Sequence, residues 1–417
     1  MNPLYNFGIS LYATAARLAA LRSKKVQDML AGQRATLYSL EEERKRIAPD
    51  GYDVWIHAAS LGEFEQGRPL IERLRREHPE KKILLTFFSP SGYNVRKNYD
   101  KVDTVAYLPF DMPGNVSRFL DAAKPRMALF VKYEFWGNYL EQLRKRAIPT
   151  YIISAIFRPT QRFFRPGGDW ARAMLRNFNH LYVQDEASRK LLAGIGIENV
   201  TVAGDTRFDR VTDIMNSVKE IKIVESFIGT SPFTFIAGSS WPADEDNYIP
   251  WLKSHPEVKA IIAPHEFDRE RLGLLRKRFD GGVRLLSELS FPSDLSGKEQ
   301  VLIVDCFGLL SSLYHYGTVA YIGGGFGAGI HNINEAAVYG MPVVFGPKHQ
   351  KFKEASDLIT IGGGFEVKDK ESALVVFDKL LNDTDARRVA GNRAAEYIKS
   401  NLGATDKIYT DLFPNQD

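Results

Sequence analysis

Residues 321–347 read YIGGGFGAGIHNINEAAVYGMPVVFGP. An apolar strand over 319–322 runs into a turn holding Gly323, Gly324, Gly325, Gly327 and Gly329. Without a Cβ, glycine lets backbone N–H groups approach an anion closely. A helix is expected to open near Asn332, with Ile333 and Asn334 at its start and Glu335 in its first turn. The first N–H groups of a helix have no intrahelical partner and carry a positive partial charge. Strand, glycine turn and helix start together make a phosphate site. Glu335 is placed to accept hydrogen bonds from a ribose diol, which gives the layout of a sugar-nucleotide site. The plainer reading is a strand-to-helix turn whose glycines serve geometry alone.

Working outward, short apolar runs alternate with helical patterns along most of the chain. Strands are expected at 54–57, 83–87, 104–107, 127–131, 150–154, 181–183 and 200–203. Five more follow at 234–237, 260–263, 301–304, 319–322 and 342–345. Such alternation means parallel sheets covered by helices, an α/β fold. At 417 residues the chain exceeds the size of a single core, so two domains are the default. The break falls within 204–213, GDTRFDRVTD. We expect an N-terminal helix over 1–25 and two doubly wound, Rossmann-like domains over 26–207 and 208–417. Ligands bind at the carboxyl ends of strands in such sheets, so the domains should face each other across a cleft.

Composition narrows the function classes. Hydrophobic content of 44% and charged content of 25% describe an ordinary globular enzyme. A net charge of +4 is too mild to argue for nucleic acid as a partner. Cys306 is the single cysteine, which excludes an internal disulfide and a cysteine zinc cluster. No His, Asp or Glu cluster has convincing metal-ligand spacing, so no metal is expected. The acidic run Asp244-Glu245-Asp246 resembles a cation-binding motif of some glycosyltransferases, but it reads better as a charged helix start.

The N-terminus differs from the rest. Leu4, Phe7, Leu11, Ala15 and Leu18 recur at helical spacing, and Arg17, Arg22, Lys24 and Lys25 gather at the end. The uncharged stretch is shorter than the ~20 residues that span a bilayer. It also lacks the order of a signal peptide. It reads as a helix lying in an anionic membrane interface, or as a helix packed on its own domain.

Several strand ends carry chemistry. In the run 53–63, DVWIHAASLGE, a strand ends at His57 and a loop with Ser60 and Gly62 delivers Glu63 to a helix start. Glu63 could take a proton from an attacking hydroxyl, with Gly62 leaving room for substrate. Ser60 to Glu63 also matches the capping box S-x-x-E, and a helix terminus would lower the basicity of Glu63. Glu134, in KYEFW after another strand, could touch substrate or pair with an arginine. The run 157–176, FRPTQRFFRPGGDWARAMLR, sets Arg162 and Arg165 among aromatics, which suits a phosphorylated lipid or a solvated face. In the second half, Ser239 and Ser240 could donate to a phosphate or cap a helix. Pro264 and His265 end another strand. Phe307, Gly308 and Leu309 could read a base edge.

In order and spacing these pieces resemble the 3-deoxy-D-manno-octulosonic acid (Kdo) transferases. The family block H-A-x-S-x-G-E corresponds to His57–Glu63, and the resemblance implies Glu63 as catalytic base. E-x-E-x-W-P corresponds to the stretch around Glu134 and Trp136, with Lys132 and Gly137 as departures. G-G-S…H-N-P-x-E corresponds to Gly323–Gly325 and His331–Glu335, with Ile333 for proline. A-P-R-H appears as Ala263-Pro264-His265 without the arginine, which Lys348 or backbone N–H groups would have to replace. The resemblance implies a GT-B fold, no metal or resident cofactor, CMP-Kdo as donor and a lipid A precursor as acceptor. It places the enzyme at the cytoplasmic face of the inner membrane. A sugar-nucleotide epimerase of similar architecture and a non-catalytic glycolipid binder are the rival readings.

Overall fold

Parallel strands buried on both faces read as continuous apolar runs. The runs at 54–57 and 83–87 are such strands, buried at every position. The computed structural model describes residues 3–216 and 218–414. Its first sheet contains β1 (Val54–His57), β2 (Ile83–Phe87), β3 (Thr104–Tyr107), β4 (Ala128–Val131), β5 (Thr150–Ala155), β6 (His180–Val183) and β7 (Val200–Val202). Their order is β3-β2-β1-β4-β5-β6-β7, all parallel. The second contains β8 (Thr234–Ser240), β9 (Lys259–Pro264), β10 (Val283–Leu285), β11 (Val301–Ile303), β12 (Val319–Ile322), β13 (Val343–Phe345) and β14 (Gly364–Glu366). Their order is β10-β11-β9-β8-β12-β13-β14, again parallel.

The chain divides into two units. One runs to Asp209 and resumes at Gly403; the other runs from Arg210 to Leu402. The last helix, Ala404–Leu412, therefore returns to the first sheet rather than staying with the 208–417 domain expected from sequence. Ile408, Tyr409 and Leu412 enter the core formed by Ile71, Leu74 and Leu85. Asp209 secures the return, accepting from the N–H groups of Gly403 and Thr405 at 2.6 Å each.

The N-terminal helix α1 (Pro3–Ala20) packs on its own unit along one face. Ala13 and Ala16 pack with Met29 of α2 (Lys24–Ile47) and with Tyr107 and Phe110. Tyr5 donates to Asp111 at 2.5 Å, and the Asn138 amide donates to Asn6 at 2.8 Å. The opposite face is solvent-exposed: Leu4 is 77% accessible, Phe7 70%, Leu11 62% and Leu18 64%. Among the described residues, no helix is long and apolar enough to cross a membrane.

Candidate active site

The first sheet reverses its strand order between β1 and β4. Connections diverge at such a point, and doubly wound sheets hold ligands there. Both acidic candidates of the first half follow these two strands. β1 ends at His57, and α3 (Leu61–Glu77) opens after the N-cap Ser60. Oε2 of Glu63 accepts from the Ser60 backbone N–H at 3.0 Å and from its hydroxyl at 3.2 Å. The glutamate half of the capping box is thus formed, with the Ser60 hydroxyl donating to Glu63.

The cap does not make Glu63 a weak base. Burial pushes its carboxyl up to about 7, and the neighbouring Glu134 carboxylate adds to the rise. The Ser60 hydrogen bonds and Lys132 oppose this and lose. The expected lowering by the helix terminus is therefore corrected: desolvation outweighs it.

Glu134 is only 6% exposed. It accepts from Nε2 of His57 at 3.0 Å and from the Trp136 indole, not from the arginine envisaged in sequence. His57 is fully buried, and its Nδ1 faces the Thr86 hydroxyl at 2.9 Å. Nε2 of His57 faces the Glu134 carboxylate, which can only accept, so that nitrogen carries the donated proton. The second carboxylate is thus fixed in place beside the first. Lys132, at the end of β4, has a left-handed backbone with φ 67, a costly conformation for a residue with a Cβ. Gly62 is exposed, and a Cβ there would meet nothing within 4 Å, so the helix start is open at that position. In the basic–aromatic run, Phe163 turns inward against Phe135 and Phe157, while Arg162 and Arg165 are exposed. Arg162 donates to the Gly167 carbonyl at 3.1 Å.

The second sheet reverses between β8 and β12. The glycine turn after β12 packs backbone on backbone. A Cβ on Gly323 would lie 2.1 Å from the Ser239 carbonyl oxygen, and one on Gly325 would lie 2.5 Å from the Gly346 nitrogen. The Gly324 N–H donates to Oδ2 of Asp244 at 2.8 Å. Asp244 is fully buried and also accepts from the Trp241 N–H at 2.9 Å and the Tyr321 hydroxyl at 3.1 Å. The turn therefore closes around an internal anion, and Gly324 does not offer its N–H to a ligand. The helix after the turn is the single turn Asn334–Ala337, later and shorter than expected, so its dipole adds little. Ser240 is buried, with its hydroxyl 2.7 Å from that of Tyr248 and 3.4 Å from Glu245, which takes it out of phosphate binding. Ser239 holds a left-handed φ of 52 beside it.

What the second switch point presents is an aromatic wall. Trp241 stacks on His265 at 4.4 Å, and His265 stacks on His331 at 4.6 Å. The Trp241 indole donates to Nε2 of His331 at 3.3 Å, which places the His331 proton on Nδ1. Burial and His265 pull His331 down to about 4, so it is neutral at physiological pH. Beside it, Glu335 is half-buried and accepts from the Asn332 amide at 2.9 Å. Burial raises its carboxyl, and Arg210 opposes the rise. Ile333 and Asn334 are fully buried, and neither amide atom of Asn334 has a partner. Pro264 ends β9, also buried. Phe307 is 86% exposed, its ring 4.5 Å from Phe267, and Gly308 and Leu309 follow it.

Sequence reasoning missed the roles of Asp244, Trp241 and His57. Asp244 stands three residues after the N-cap Trp241 and accepts from its N–H, but a tryptophan N-cap gives no capping-box signature in sequence. Its neighbours in the acidic run are taken: Glu245 by Arg271 and Arg278, Asp246 by Arg278 at 2.6 Å. Among the described residues no group of three or more His, Cys, Asp and Glu side chains gathers as a metal site.

Residues 17–210 match the family model described as 3-deoxy-D-manno-octulosonic-acid transferase (kdotransferase). Over that stretch the chain is similar to the Kdo transferase family. It is 28% identical to the 3-deoxy-D-manno-octulosonic acid transferase of Aquifex aeolicus over 336 residues, covering 79% of this chain and 86% of that one. It is also 28% identical to the Haemophilus influenzae transferase, covering 88% of each. Among solved structures it resembles a UDP-GlcNAc 2-epimerase from Neisseria meningitidis bound to UDP-GlcNAc. The TM-score there is 0.61 at 16% identity, over 87% of this chain and 100% of that one. That likeness is one of fold, and the fold is of the GT-B type. As in the Kdo transferase block, Glu63 follows His57 by six residues, and it is the carboxylate with the raised value at the first switch point.

Proposed function

We propose that this transferase moves Kdo from CMP-Kdo to a phosphorylated lipid A precursor, lipid IVA, with inversion at the anomeric carbon and without a metal. The observation that carries the reading is Glu63: a carboxyl that burial raises to about 7 at the β1–β4 switch point, one residue after the exposed Gly62. A general base works best when its pKa lies near the operating pH. Glu63 takes the proton of the acceptor hydroxyl as its oxygen bonds to the Kdo anomeric carbon. The bond from that carbon to the CMP phosphate breaks, and CMP leaves with the electron pair. One displacement inverts the centre. The second unit holds the nucleotide: the Trp241–His265–His331 wall lies along it, Nδ1–H of His331 donates to an anionic oxygen, and Glu335 accepts from the ribose. Positioned donors that meet developing charge are usually the largest catalytic contribution. The deciding experiment is incubation with CMP-Kdo and lipid IVA in excess EDTA, with products read by mass. Absence of a Kdo adduct there, with a 2-epimerised UDP-sugar formed instead in a parallel incubation, would favour the epimerase reading.

Glu335→Ala is expected to weaken CMP binding. Hydrogen bonds to a charged acceptor contribute about 1.5–3 kcal/mol, roughly 10- to 150-fold in affinity. Calorimetry with CMP reads it, and an unchanged dissociation constant removes Glu335 from the nucleotide site.

The membrane is the proposed location, at the cytoplasmic face of the inner membrane. The exposed stripe of α1 supports this, with Arg17, Arg22, Lys24 and Lys25 at its end. Truncating residues 1–25 would also strip Tyr5, Ala13 and Ala16 from the core. The cleaner variant is Phe7→Ser with Leu11→Ser, which touches only exposed positions. It should release the protein from anionic vesicles, as seen by co-sedimentation, and leave CMP binding intact. Unchanged sedimentation would make α1 an ordinary packed helix.

A further inference from the structure

A recess of about 360 Å³ opens at the surface of the first unit, where α1 and α2 meet the segment after β3. Arg17 of α1, Leu30, Gln33, Arg34 and Leu37 of α2, and Phe110 are among its lining residues. The chemistry of this lining is two-sided. Arg17 and Arg34 bring two guanidinium groups, and no carboxylate lines the recess to neutralise them. Arg34 holds its place through Nε, which donates to the Leu30 carbonyl at 3.3 Å. Leu30, Leu37 and Phe110 supply an apolar wall. Gln33 is 4% exposed, and its Nε2 is buried without a hydrogen-bond partner. A buried amide without a partner costs free energy, and folded proteins keep such groups where something else completes them. Two fork-shaped cations and an unsatisfied amide donor suit a phosphate ester, with the guanidinium planes matching its oxygens.

Position selects the source of that phosphate. Arg17 lies on α1, the helix that carries the exposed apolar stripe. We propose that this recess is a headgroup site for an anionic glycerophospholipid, holding one lipid phosphate between Arg17, Arg34 and Gln33 while the acyl chains follow the α1 stripe. The proposal rests on the membrane reading of α1. It adds a discrete site to what would otherwise be diffuse attraction between basic residues and lipid.

The test uses the full chain and two probes. The first is short-chain dihexanoyl phosphatidylglycerol below its micellar concentration, titrated by calorimetry. The second is vesicles of phosphatidylcholine with and without phosphatidylglycerol, at low and high salt. Arg17→Gln with Arg34→Gln should weaken binding of the soluble lipid at least tenfold. Lys24→Gln with Lys25→Gln removes the same charge outside the recess, and should leave that affinity within twofold. Gln33→Leu should also weaken it, while raising rather than lowering the melting temperature, because it deletes an unpartnered buried amide. Equal losses for the two charge-matched double variants would overturn the proposal and leave surface electrostatics alone, screened by salt. Inorganic phosphate binding as tightly as the soluble lipid would overturn the lipid assignment. Binding of the soluble lipid through Arg17 and Arg34, with no vesicle binding by the unaltered protein, would uphold the recess and sink the membrane reading, so the two fail separately.

Discussion

Glu63→Gln should lose most Kdo transfer, roughly 10²–10⁴-fold in kcat, while keeping its fold and its affinity for CMP. The glutamine oxygen still accepts from the Ser60 N–H, so α3 keeps its cap. What disappears is the group that can hold the acceptor's proton. The pH dependence separates base from cap. In the unaltered enzyme the active form is the carboxylate, so kcat/KM should climb as pH rises through about 7 and then level off. The residual activity of the variant should lack that limb. Stability carries the opposite sign. The folded value lies above the ordinary carboxylate value of 4.5, so the native state holds more protons between there and about 7, and stability falls with rising pH across that window. The variant is spared that fall, and its melting temperature relative to the unaltered protein should improve between about pH 5 and about pH 8. Near-normal turnover with a lower melting temperature would make Glu63 a capping residue only.

Asp244→Ala should destabilise the second unit by roughly 3–5 kcal/mol and weaken CMP binding with it. The substitution orphans three donors at once: the Gly324 N–H, the Trp241 N–H and the Tyr321 hydroxyl. The site is fully buried, so water cannot replace the carboxylate without opening the turn. Loss of the Trp241 contact should also loosen the stack on His265, and this couples stability to nucleotide affinity. Asp244→Asn keeps one acceptor oxygen and should fall between the two. Urea denaturation measures the first effect and calorimetry the second. A loss below about 1 kcal/mol would mean that the turn holds itself closed without the carboxylate.

The two switch points explain why the site was partly legible. Glu63 and Glu134 were recognisable as acids at strand ends because a strand's length and a following helix start are local patterns. That β1 and β4 are neighbours is a pairing across most of a hundred residues, and no window of sequence carries it. Only that pairing places Glu134 where it raises Glu63, and only the buried His57 keeps Glu134 there. In the second unit the glycine run was visible, but its partner was not. An anion was expected from solvent, and the fold supplies one from Asp244. The strands that escaped reading, β10 and β14, are the edges of their sheet. Each has three residues and includes a polar one, Arg284 or Glu366, so neither makes an apolar run.

The alternation of apolar runs with helical patterns, read from the sequence alone, determined an α/β protein of parallel sheets, because burial on both faces demands near-continuous hydrophobicity. Motif spacing likewise determined the Kdo transferase resemblance and the identity of the acidic residues worth testing. The tertiary structure decided what those residues can do. Whether a carboxylate is a cap or a base depends on how much water it loses and which charge lies beside it. Whether a glycine turn is open depends on what already fills it. Both are set by residues distant in sequence and close in space, and a folded core fixes them where a linear pattern does not.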